Sequence, residues 1–390
     1  MRALMVAPEP FFQPRGTPFS VYYRALVLSE LGVEIDLLCY GQGQDVEIPG
    51  VRILRSPSLH AFGPVRAGPS LLKLVLDVPL AVRTYWRALL GRYDFVHVHE
   101  EAVFFSLLVP LLGPKLVYDM HSSLAQQLVA YRWDRYPLLV WLFEVLERAS
   151  LRRAHAVITI SPALAELALT QVRSPGRHFL IENSIFDPVR LVPTANRSNA
   201  SRWLRELPEG RTVVAYAGTL ERYQGVDLLI RAVAVARRTD PQLFLLVIGG
   251  ASDQIVGLRS VAVGCGMDEH CLFTGTLDQQ ATTELLSRAQ VLTSPRVGGI
   301  NTPLKVYQLL ASGKPVVATR ISSHTQVLDD ETCILTDPSP EAFADGLLRA
   351  VRDSEESHRR IQAALELYRS KYSRSIYESK LRALLETLDR

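Results

Sequence analysis

Short runs of Val, Ile and Leu alternate with longer amphipathic segments along nearly the whole chain. The apolar runs predict buried strands at 3–7, 33–40, 95–98, 115–119, 156–160, 212–217, 243–248, 272–273, 291–293 and 315–318. Segments with helical spacing lie between them, among them 20–31, 226–238, 277–289 and 303–312. This alternation is typical of βαβ units, and it predicts an α/β protein with parallel sheets.

The alternation stops between about residues 187 and 208 and then starts again. The stretch PVRLVPTANRSNASRWLRELPEG lacks a strand period and carries three prolines. We therefore predict a linker there, between two Rossmann-like, doubly wound domains at 1–190 and 191–365 with a cleft between them. From residue 354 onward the pattern is helical and amphipathic.

Composition excludes several classes of protein. The 390 residues are 48% hydrophobic and 21% charged, which excludes disorder, collagen and coiled coil. A net charge of +3, from 43 basic and 40 acidic residues, gives no broad field for nucleic acid. The four cysteines have no C-x-x-C spacing and are expected in the core, without disulfide or zinc.

No segment predicts export or membrane spanning. The apolar start of the chain is short and ends at Pro8, and the longest apolar stretch, 102–113, is too short to cross a bilayer. We therefore expect a cytoplasmic protein.

Glycines follow the predicted strands of the second domain at their carboxyl ends. They are Gly218, Gly249, Gly250, Gly275, Gly298 and Gly299. Ligands of open parallel sheets bind at this edge, so the glycines predict a crevice where backbone approaches a ligand. The alternative is that each glycine only permits a tight turn.

The most informative segment is GGINTPLKVYQLLASGKPVVAT, from Gly298 to Thr319. Thr302 followed by Pro303 predicts the start of a helix, with Lys305 in its first turn and Gln308 on the same face. A helix N-terminus with a lysine beside it favours phosphate. An ordinary capped helix with a solvated lysine is the alternative.

This segment resembles the donor-binding motif of family 4 glycosyltransferases, retaining enzymes with the two-Rossmann GT-B fold. Residues 311–317, ASGKPVV, match the A-x-G-K-P-V-V run of that motif. The two glutamates that precede the run in the family fall on Ile300 and Gln308, so neither is a carboxylate here. Lys305 fits a variant of the motif. The resemblance implies donor contacts from Gly250 and from the segment Asn301, Thr302, Pro303, Leu304 and Gln308.

A second match is YAGTLERYQGVDLLIRAV, from Tyr216. The arginine and lysine that hold the donor diphosphate in the family fall on Thr219 and Gln224, next to Gly218. Arg222 lies between these positions and is the expected substitute cation. In the first domain, the family's glycine-rich loop corresponds to the loop that contains Gly16. The resemblance implies that Gly16 and Thr17 contact the donor and that Arg15 lies on the acceptor side. An ordinary βα loop is the alternative.

Two predicted strands of the first domain end in polar residues. The resemblance places His121 beside the donor sugar, as a catalytic residue, and makes His99 and Glu100 plausible acceptor contacts. His97 is expected on the opposite side of its strand, in the core. The His-x-His pair lacks a third ligand at suitable spacing, so no metal site is predicted.

An aromatic, arginine-rich stretch at 131–137 precedes an apolar helix at 138–146. Together with 71–90 it suggests an amphipathic surface for anionic lipid, whereas helices that simply cover the first sheet are the alternative.

The resemblance implies a retaining glycosyltransferase that moves a sugar from a nucleoside diphosphate donor to an acceptor hydroxyl. His121, Lys305 and Arg222 are its expected catalytic residues, without metal or other cofactor and without nucleic acid. The acceptor is expected to be a glycan or lipid-linked molecule of the cell envelope, with the enzyme cytoplasmic and in peripheral contact with the inner face of the membrane. The final segment, 366–390, is expected to cross back to the first domain.

Two other functions stay open at this point. One is a nucleotide-sugar-binding partner subunit with little activity of its own. The other is a GT-B epimerase or phosphorylase.

Overall fold

The computed structural model describes residues 1–13, 16–57, 70–130, 133, 135–183, 186, 189, 200–299 and 301–389. The chain forms two compact units. The first comprises Met1–Ile185, Val189–Val192 and Arg374–Arg390, and the second comprises Phe186–Pro188 and Pro193–Ser373. Most of the predicted linker lies outside the described residues, and its described part includes a helix at Ala200–Glu206.

The first unit is built on a parallel sheet of seven strands. They are β1 (Arg2–Ala7), β2 (Glu34–Cys39), β3 (Val51–Arg55), β4 (Phe95–His99), β5 (Lys115–Met120), β6 (Ala156–Thr159) and β7 (His178–Leu180), in the order β3-β2-β1-β4-β5-β6-β7. Its helices are α1 (Gly16–Glu30), α2 (Leu71–Leu90), α3 (Ala102–Phe105), α4 (Leu124–Ala130), α5 (Pro137–Arg153) and α6 (Pro162–Leu169).

The second unit repeats this arrangement with six parallel strands. They are β8 (Thr212–Ala217), β9 (Leu243–Ile248), β10 (Cys271–Phe273), β11 (Val291–Ser294), β12 (Val316–Thr319) and β13 (Ile334–Thr336), in the order β10-β9-β8-β11-β12-β13. Its helices are α7 (Ala200–Glu206), α8 (Val226–Arg237), α9 (Ser252–Gly264), α10 (Gln279–Ser287), α11 (Lys305–Ala311), α12 (Ser322–Thr325), α13 (Pro340–Arg352) and α14 (Ser354–Leu367).

Burial on both sheet faces explains why the strands are continuous apolar runs rather than alternating ones. In β9, for example, all six residues are buried, with Leu245 and Val247 in one apolar cluster and Leu246 and Ile248 in another. Cys39 and Cys333 are buried as expected, but Cys265 and Cys271 are only partly buried, at the edge of a core cluster. Three strands were not predicted: β3 carries two arginines, and β7 and β13 have only three residues each.

The last helix, α15 (Arg374–Asp389), packs within the first unit. Tyr377, Leu381, Leu384 and Leu388 form its buried stripe, and Lys380 pairs with Glu182 at 2.6 Å. The segment predicted at 366–390 starts too early, because residues through Ser373 belong to the second unit. There the ring of Tyr372 lies 4.9 Å from that of Tyr307 in α11.

Among the described residues, no helix has both the length and the apolar character needed to cross a membrane.

Candidate active site

The carboxyl edge of the second sheet brings Gly218, Thr219, Gln224 and Lys305 together. Lys305 Nζ lies 3.3 Å from Gln224 Oε1, and 3.8 Å from the point that a Cβ at Gly218 would occupy. Gln224 Nε2 lies 3.5 Å from Thr219 Oγ1. Residues separated by about 80 positions in sequence therefore lie side by side at this edge.

Lys305 is a partly buried cation without a carboxylate in contact among the described residues. Its Nζ stands 4.0 Å from the centre of the Tyr216 ring. Burial, together with the nearby charge of Arg296, holds the pKa of Lys305 well below its usual value. An anion placed beside Nζ would reverse this penalty, because it favours the charged amine.

Arg296 is a second cation at this edge, and the sequence motifs did not predict it. Its Nε donates to Gly298 O at 2.6 Å, its Nη1 donates to Asn301 O at 3.0 Å, and its guanidinium lies 5.1 Å from the centre of the Tyr223 ring. Gly299 has a φ of +105°, in the left-handed region that favours glycine, and a Cβ there would lie 2.0 Å from the guanidinium of Arg296. The loop after β11 thus leaves room for this arginine.

The helix that carries Lys305 begins later than predicted. Its first residue is Lys305 itself, and Thr302, Pro303 and Leu304 precede it. Thr302 is therefore not the N-cap, although the N–H of Val306 already donates to Pro303 O at 3.0 Å. Thr302 Oγ1 is buried and has no hydrogen-bond partner among the described residues. Ile300 lies outside the described residues.

The other predicted donor contacts have different surroundings. Gln308 is exposed, one turn beyond Lys305, and Gly250 is partly buried after β9. Arg222 is exposed in a 3-10 turn, Arg222–Gln224, and its side chain makes no hydrogen bond or ion pair with the part of the chain that the structure describes. Arg296, whose charge acts on Lys305, is a second candidate for the cation role that was predicted for Arg222.

A buried histidine stands behind the two cations. His324 Nδ1 lies 2.8 Å from Thr319 O, which can only accept, so Nδ1 carries the proton and Nε2 accepts from Ser294 Oγ at 2.8 Å. Burial lowers the pKa of His324 to about 4, and the charges of Lys305 and Arg296 act in the same direction. A neutral histidine adds no charge at this edge.

In the first unit, Asp119 is the centre of a buried ionic network. Arg24 Nε donates to Asp119 Oδ2 at 2.9 Å, and His97 Nε2 donates to the same oxygen at 3.0 Å. Burial opposes ionisation, but Arg24 and the histidines hold the pKa of Asp119 well below its usual range. The guanidinium of Arg24 also lies 5.1 Å from the centre of the Tyr377 ring, so α15 covers this network.

His99 and His121 extend the network to the ends of β4 and β5. His99 Nδ1 lies 2.9 Å from His121 Nε2, and the His97 and His99 rings stack at 4.8 Å. The prediction that His97 occupies the opposite side of β4 is wrong, because residues two apart share a strand face. His99 is fully buried rather than exposed to an acceptor. Burial lowers the pKa of His121 to about 4.

Glu100 occupies the tip of β4 in a left-handed conformation, with φ of +47°. Its Oε2 accepts from Ser122 Oγ at 3.0 Å. Burial and the neighbouring charge of Glu101 raise the pKa of Glu100 to about 7. A carboxyl group with this pKa both accepts and donates hydrogen bonds near neutral pH, which suits hydroxyl recognition.

Gly16 and Thr17 are the first residues of α1, with Gly16 exposed and Thr17 partly exposed. Arg15 lies outside the described residues, as do Tyr131, Arg132 and Asp134 of the aromatic, arginine-rich stretch.

The structure supplies the third potential metal ligand that the sequence spacing lacked. Ligand atoms of His97, His99 and Asp119 lie within 4.8 Å of one another. Asp119 is already paired with the buried guanidinium of Arg24, however, so a cation there would compete with a fixed positive charge. The donor set fits an internal ion pair better than a metal ion.

Two comparisons with known families cover both units. Residues 20–184 match the model of the glycosyl transferase 4-like domain, and residues 211–353 match the model of glycosyl transferases group 1. Over 396 residues the chain is 25% identical to the phosphatidyl-myo-inositol mannosyltransferase of Mycobacterium leprae, covering 100% of this chain and 97% of that one. It is 27% identical to the 2-deoxystreptamine N-acetyl-D-glucosaminyltransferase of Streptomyces fradiae, covering 92% and 87%.

Solved structures share the fold. Sucrose-phosphate synthase from Thermosynechococcus elongatus superposes with a TM-score of 0.73 at 20% identity, over 100% of this chain and 99% of that one. Anabaena HepE, solved with UDP and glucose, gives a TM-score of 0.73 at 15% identity over 99% of both chains.

Two Rossmann-like units with these structural neighbours define a protein of the GT-B fold. With both family models matched, the chain belongs to the group 1, family 4 glycosyltransferases and is an enzyme that transfers a sugar.

Proposed function

We propose that this enzyme takes its sugar from a nucleoside diphosphate donor and retains the configuration of the anomeric carbon. The observation that carries the donor part of the proposal is the pair of cations at the carboxyl edge of the second sheet, Lys305 and Arg296, whereas retention follows the family resemblance. Neither has a carboxylate partner among the ion pairs of the described residues. Two such cations beside a glycine-lined edge suit a diphosphate, and Anabaena HepE, which shares the fold, was solved with UDP.

In this reaction the bond between the anomeric carbon and the β-phosphate oxygen breaks. A new bond to the acceptor oxygen forms on the same face of the sugar, and the leaving diphosphate takes the acceptor proton. The negative charge that develops on the diphosphate is what Lys305 and Arg296 stabilise. Gln308, although exposed, lies one turn from Lys305 and is assigned to the ribose hydroxyls.

The first unit contributes the sugar and acceptor contacts in this proposal. His121 is neutral near pH 7, since burial lowers its pKa to about 4, and so it offers hydrogen bonds without a charge. Glu100 is assigned to the acceptor. The acceptor class that we propose is a hydroxyl of a glycan or a lipid-linked molecule of the cell envelope, reached from the cytoplasmic side by peripheral contact with the membrane. The similar mannosyltransferase of Mycobacterium leprae is named for phosphatidyl-myo-inositol, which supports this class.

Thermal shift with a panel of nucleoside diphosphates and their sugars identifies the donor, because a ligand that binds only the folded state raises the Tm. Turnover of the identified donor is then followed by NMR, which reads the configuration of the released or transferred sugar. We expect retention. Inversion would contradict the proposed mechanism, and donor binding without hydrolysis or transfer would favour the alternative, a nucleotide-sugar-binding partner subunit.

A further inference from the structure

The helix α2 is apolar on both faces. Leu76, Leu80, Thr84 and Ala88 recur every fourth residue and are buried against the first unit. On the opposite side, every residue exposed to solvent is also apolar: Leu74, Val75, Val78, Val82, Trp86, Leu89 and Leu90. A soluble protein rarely leaves a continuous stripe of seven large apolar side chains exposed, so the outer stripe of α2 indicates a missing partner.

The apolar surface continues beyond α2. The 3-10 turn at Val109–Leu112 contacts α2 and exposes Leu111 to 80%, while α3 contacts both α2 and α5. On α5, Leu138 is 81% exposed and Trp141 is 60% exposed, with Leu142 and Val145 on the same stripe. We refer to these exposed apolar residues of α2, of the 3-10 turn and of α5 together as the α2–α5 face.

Arginines border the α2–α5 face. At the end of α2, a groove of about 520 Å³ is lined by Arg2, Arg83, Trp86, Arg87, Leu90 and Gly91. Along α5, the apolar stripe is followed by Arg148, Arg152 and Arg153, all exposed. Asp77 of α2 accepts from Tyr40 at 2.6 Å, and Glu101, just before α3, accepts from Lys73 at 2.9 Å, so both carboxylates are engaged internally, whereas Glu144 of α5 is exposed.

We propose that the α2–α5 face binds the surface of an anionic lipid bilayer, with its Leu, Val and Trp side chains in the headgroup region and its arginines on lipid phosphates. An apolar face with tryptophans and a cationic border is the pattern of interfacial membrane binding. A second copy of the chain fits less well, since a symmetric contact would bring this arginine-bordered face against itself. The inference extends the proposed function by naming the surface that holds the enzyme at a membrane-borne acceptor.

The test is flotation of the purified full-length protein with phosphatidylcholine vesicles, and with the same vesicles containing phosphatidylglycerol. We expect binding to the anionic vesicles that weakens as salt is raised. The triple variant Val78→Gln, Val82→Gln, Trp86→Gln should lose at least tenfold in vesicle affinity, and the double variant Arg87→Gln, Arg152→Gln should lose about fivefold per arginine.

Matched controls lie on the second unit. Val256 and Val263 of α9 are also exposed, as are Arg231 and Arg238 at α8. Two double variants should bind vesicles like the parent: one combines Val256→Gln with Val263→Gln, and the other combines Arg231→Gln with Arg238→Gln. If the control variants weaken vesicle binding as much as the variants of the α2–α5 face do, the assignment to that face is overturned.

Two further outcomes overturn the proposal. One is the absence of vesicle binding by the parent protein. The other is a dimer in light scattering that the triple variant abolishes, which would assign the face to a second copy. Hydrolysis of the identified donor in vesicle-free buffer is measured on the same samples and should be equal in parent and triple variant. Absence of vesicle binding by the parent protein with hydrolysis intact therefore contradicts this proposal alone, whereas vesicle binding by the parent without any turnover contradicts only the proposed function.

Discussion

The amine of Lys305 stands 4.0 Å from the centre of the Tyr216 ring, in place of the carboxylate that a partly buried lysine ordinarily pairs with. The ring face and Gln224 Oε1 give it partial stabilisation, which leaves its positive charge available to a ligand. Strand β8 provides the ring and α11 provides the lysine, so the two family motifs meet at this contact.

Replacement of Lys305 by Met should separate folding from donor binding. The volume is similar and the desolvated charge is removed, so the Tm without ligand should be unchanged or higher. Nucleoside diphosphate affinity should fall about ten- to a hundred-fold, because charge-assisted bonds contribute about 1.5–3 kcal/mol. Calorimetry measures this affinity. An undiminished affinity would show that Lys305 does not contact the diphosphate.

Arg296 should matter more than Arg222 for donor binding. Arg296 orders the loop before α11 through Gly298 O and Asn301 O and lies beside Lys305, whereas Arg222 is exposed. Arg296→Gln should weaken donor binding about tenfold or more, and Arg222→Gln should weaken it about threefold or less. The opposite ranking in calorimetric titrations would restore Arg222 as the diphosphate cation.

Gln308→Glu should keep or raise kcat/KM. The family motif has a carboxylate at this position, and a charged acceptor makes stronger hydrogen bonds to ribose hydroxyls than an amide does. Steady-state kinetics with the identified donor measure the effect. Loss of activity in a folded variant would mean that the amide N–H is used, or that the new carboxylate pairs with Lys305 one turn away.

The sequence was sufficient for the parts of the molecule that depend on local pattern. Strands β8 and β9 begin and end where the apolar runs do, and Lys305 was found from its place in a motif. Arg296 was missed because it follows β11 without a motif residue beside it. Its role depends on a loop that bends back so that Gly298 and Asn301 present their carbonyls to it.

The network around Asp119 needed information that a single sequence does not contain. Its members come from α1, β4, β5 and α15, and the register that places His99 beside Asp119 is set by strand pairing. A one-residue change of register would turn these side chains to opposite sheet faces. The role of Arg24 could not be predicted, because it is a single arginine in a helix without a recognisable motif.

Asp119→Asn should destabilise the protein strongly. It leaves the guanidinium of Arg24 buried without its counter-ion, a change that typically costs about 3–5 kcal/mol. Asp330 offers a matched control, because its pair with Arg320 at 2.7 Å is largely exposed. Asp330→Asn should cost about 0–1 kcal/mol. Urea unfolding of both variants measures the difference, and equal losses would show that the buried network contributes little to stability.

Acid should destabilise the folded protein through its buried histidines, and His324 allows this to be tested in the second unit. Burial lowers the pKa of His324 from an ordinary value of about 6.5 to about 4, so the unfolded state binds more protons between these values. The contribution of His324 to the free energy of unfolding is therefore full above pH 6.5 and declines as the pH falls toward 4. In His324→Gln the amide keeps a polar group near Ser294 without a titrating ring, so the free energy of unfolding should depend less steeply on pH between 6.5 and 4.

His358→Gln, at an exposed position, controls for the loss of one histidine. Urea unfolding at a series of pH values, followed for each variant, gives the slopes. A slope in His324→Gln as steep as in the parent would show that the buried ring of His324 is not among the groups that take up protons on acid unfolding.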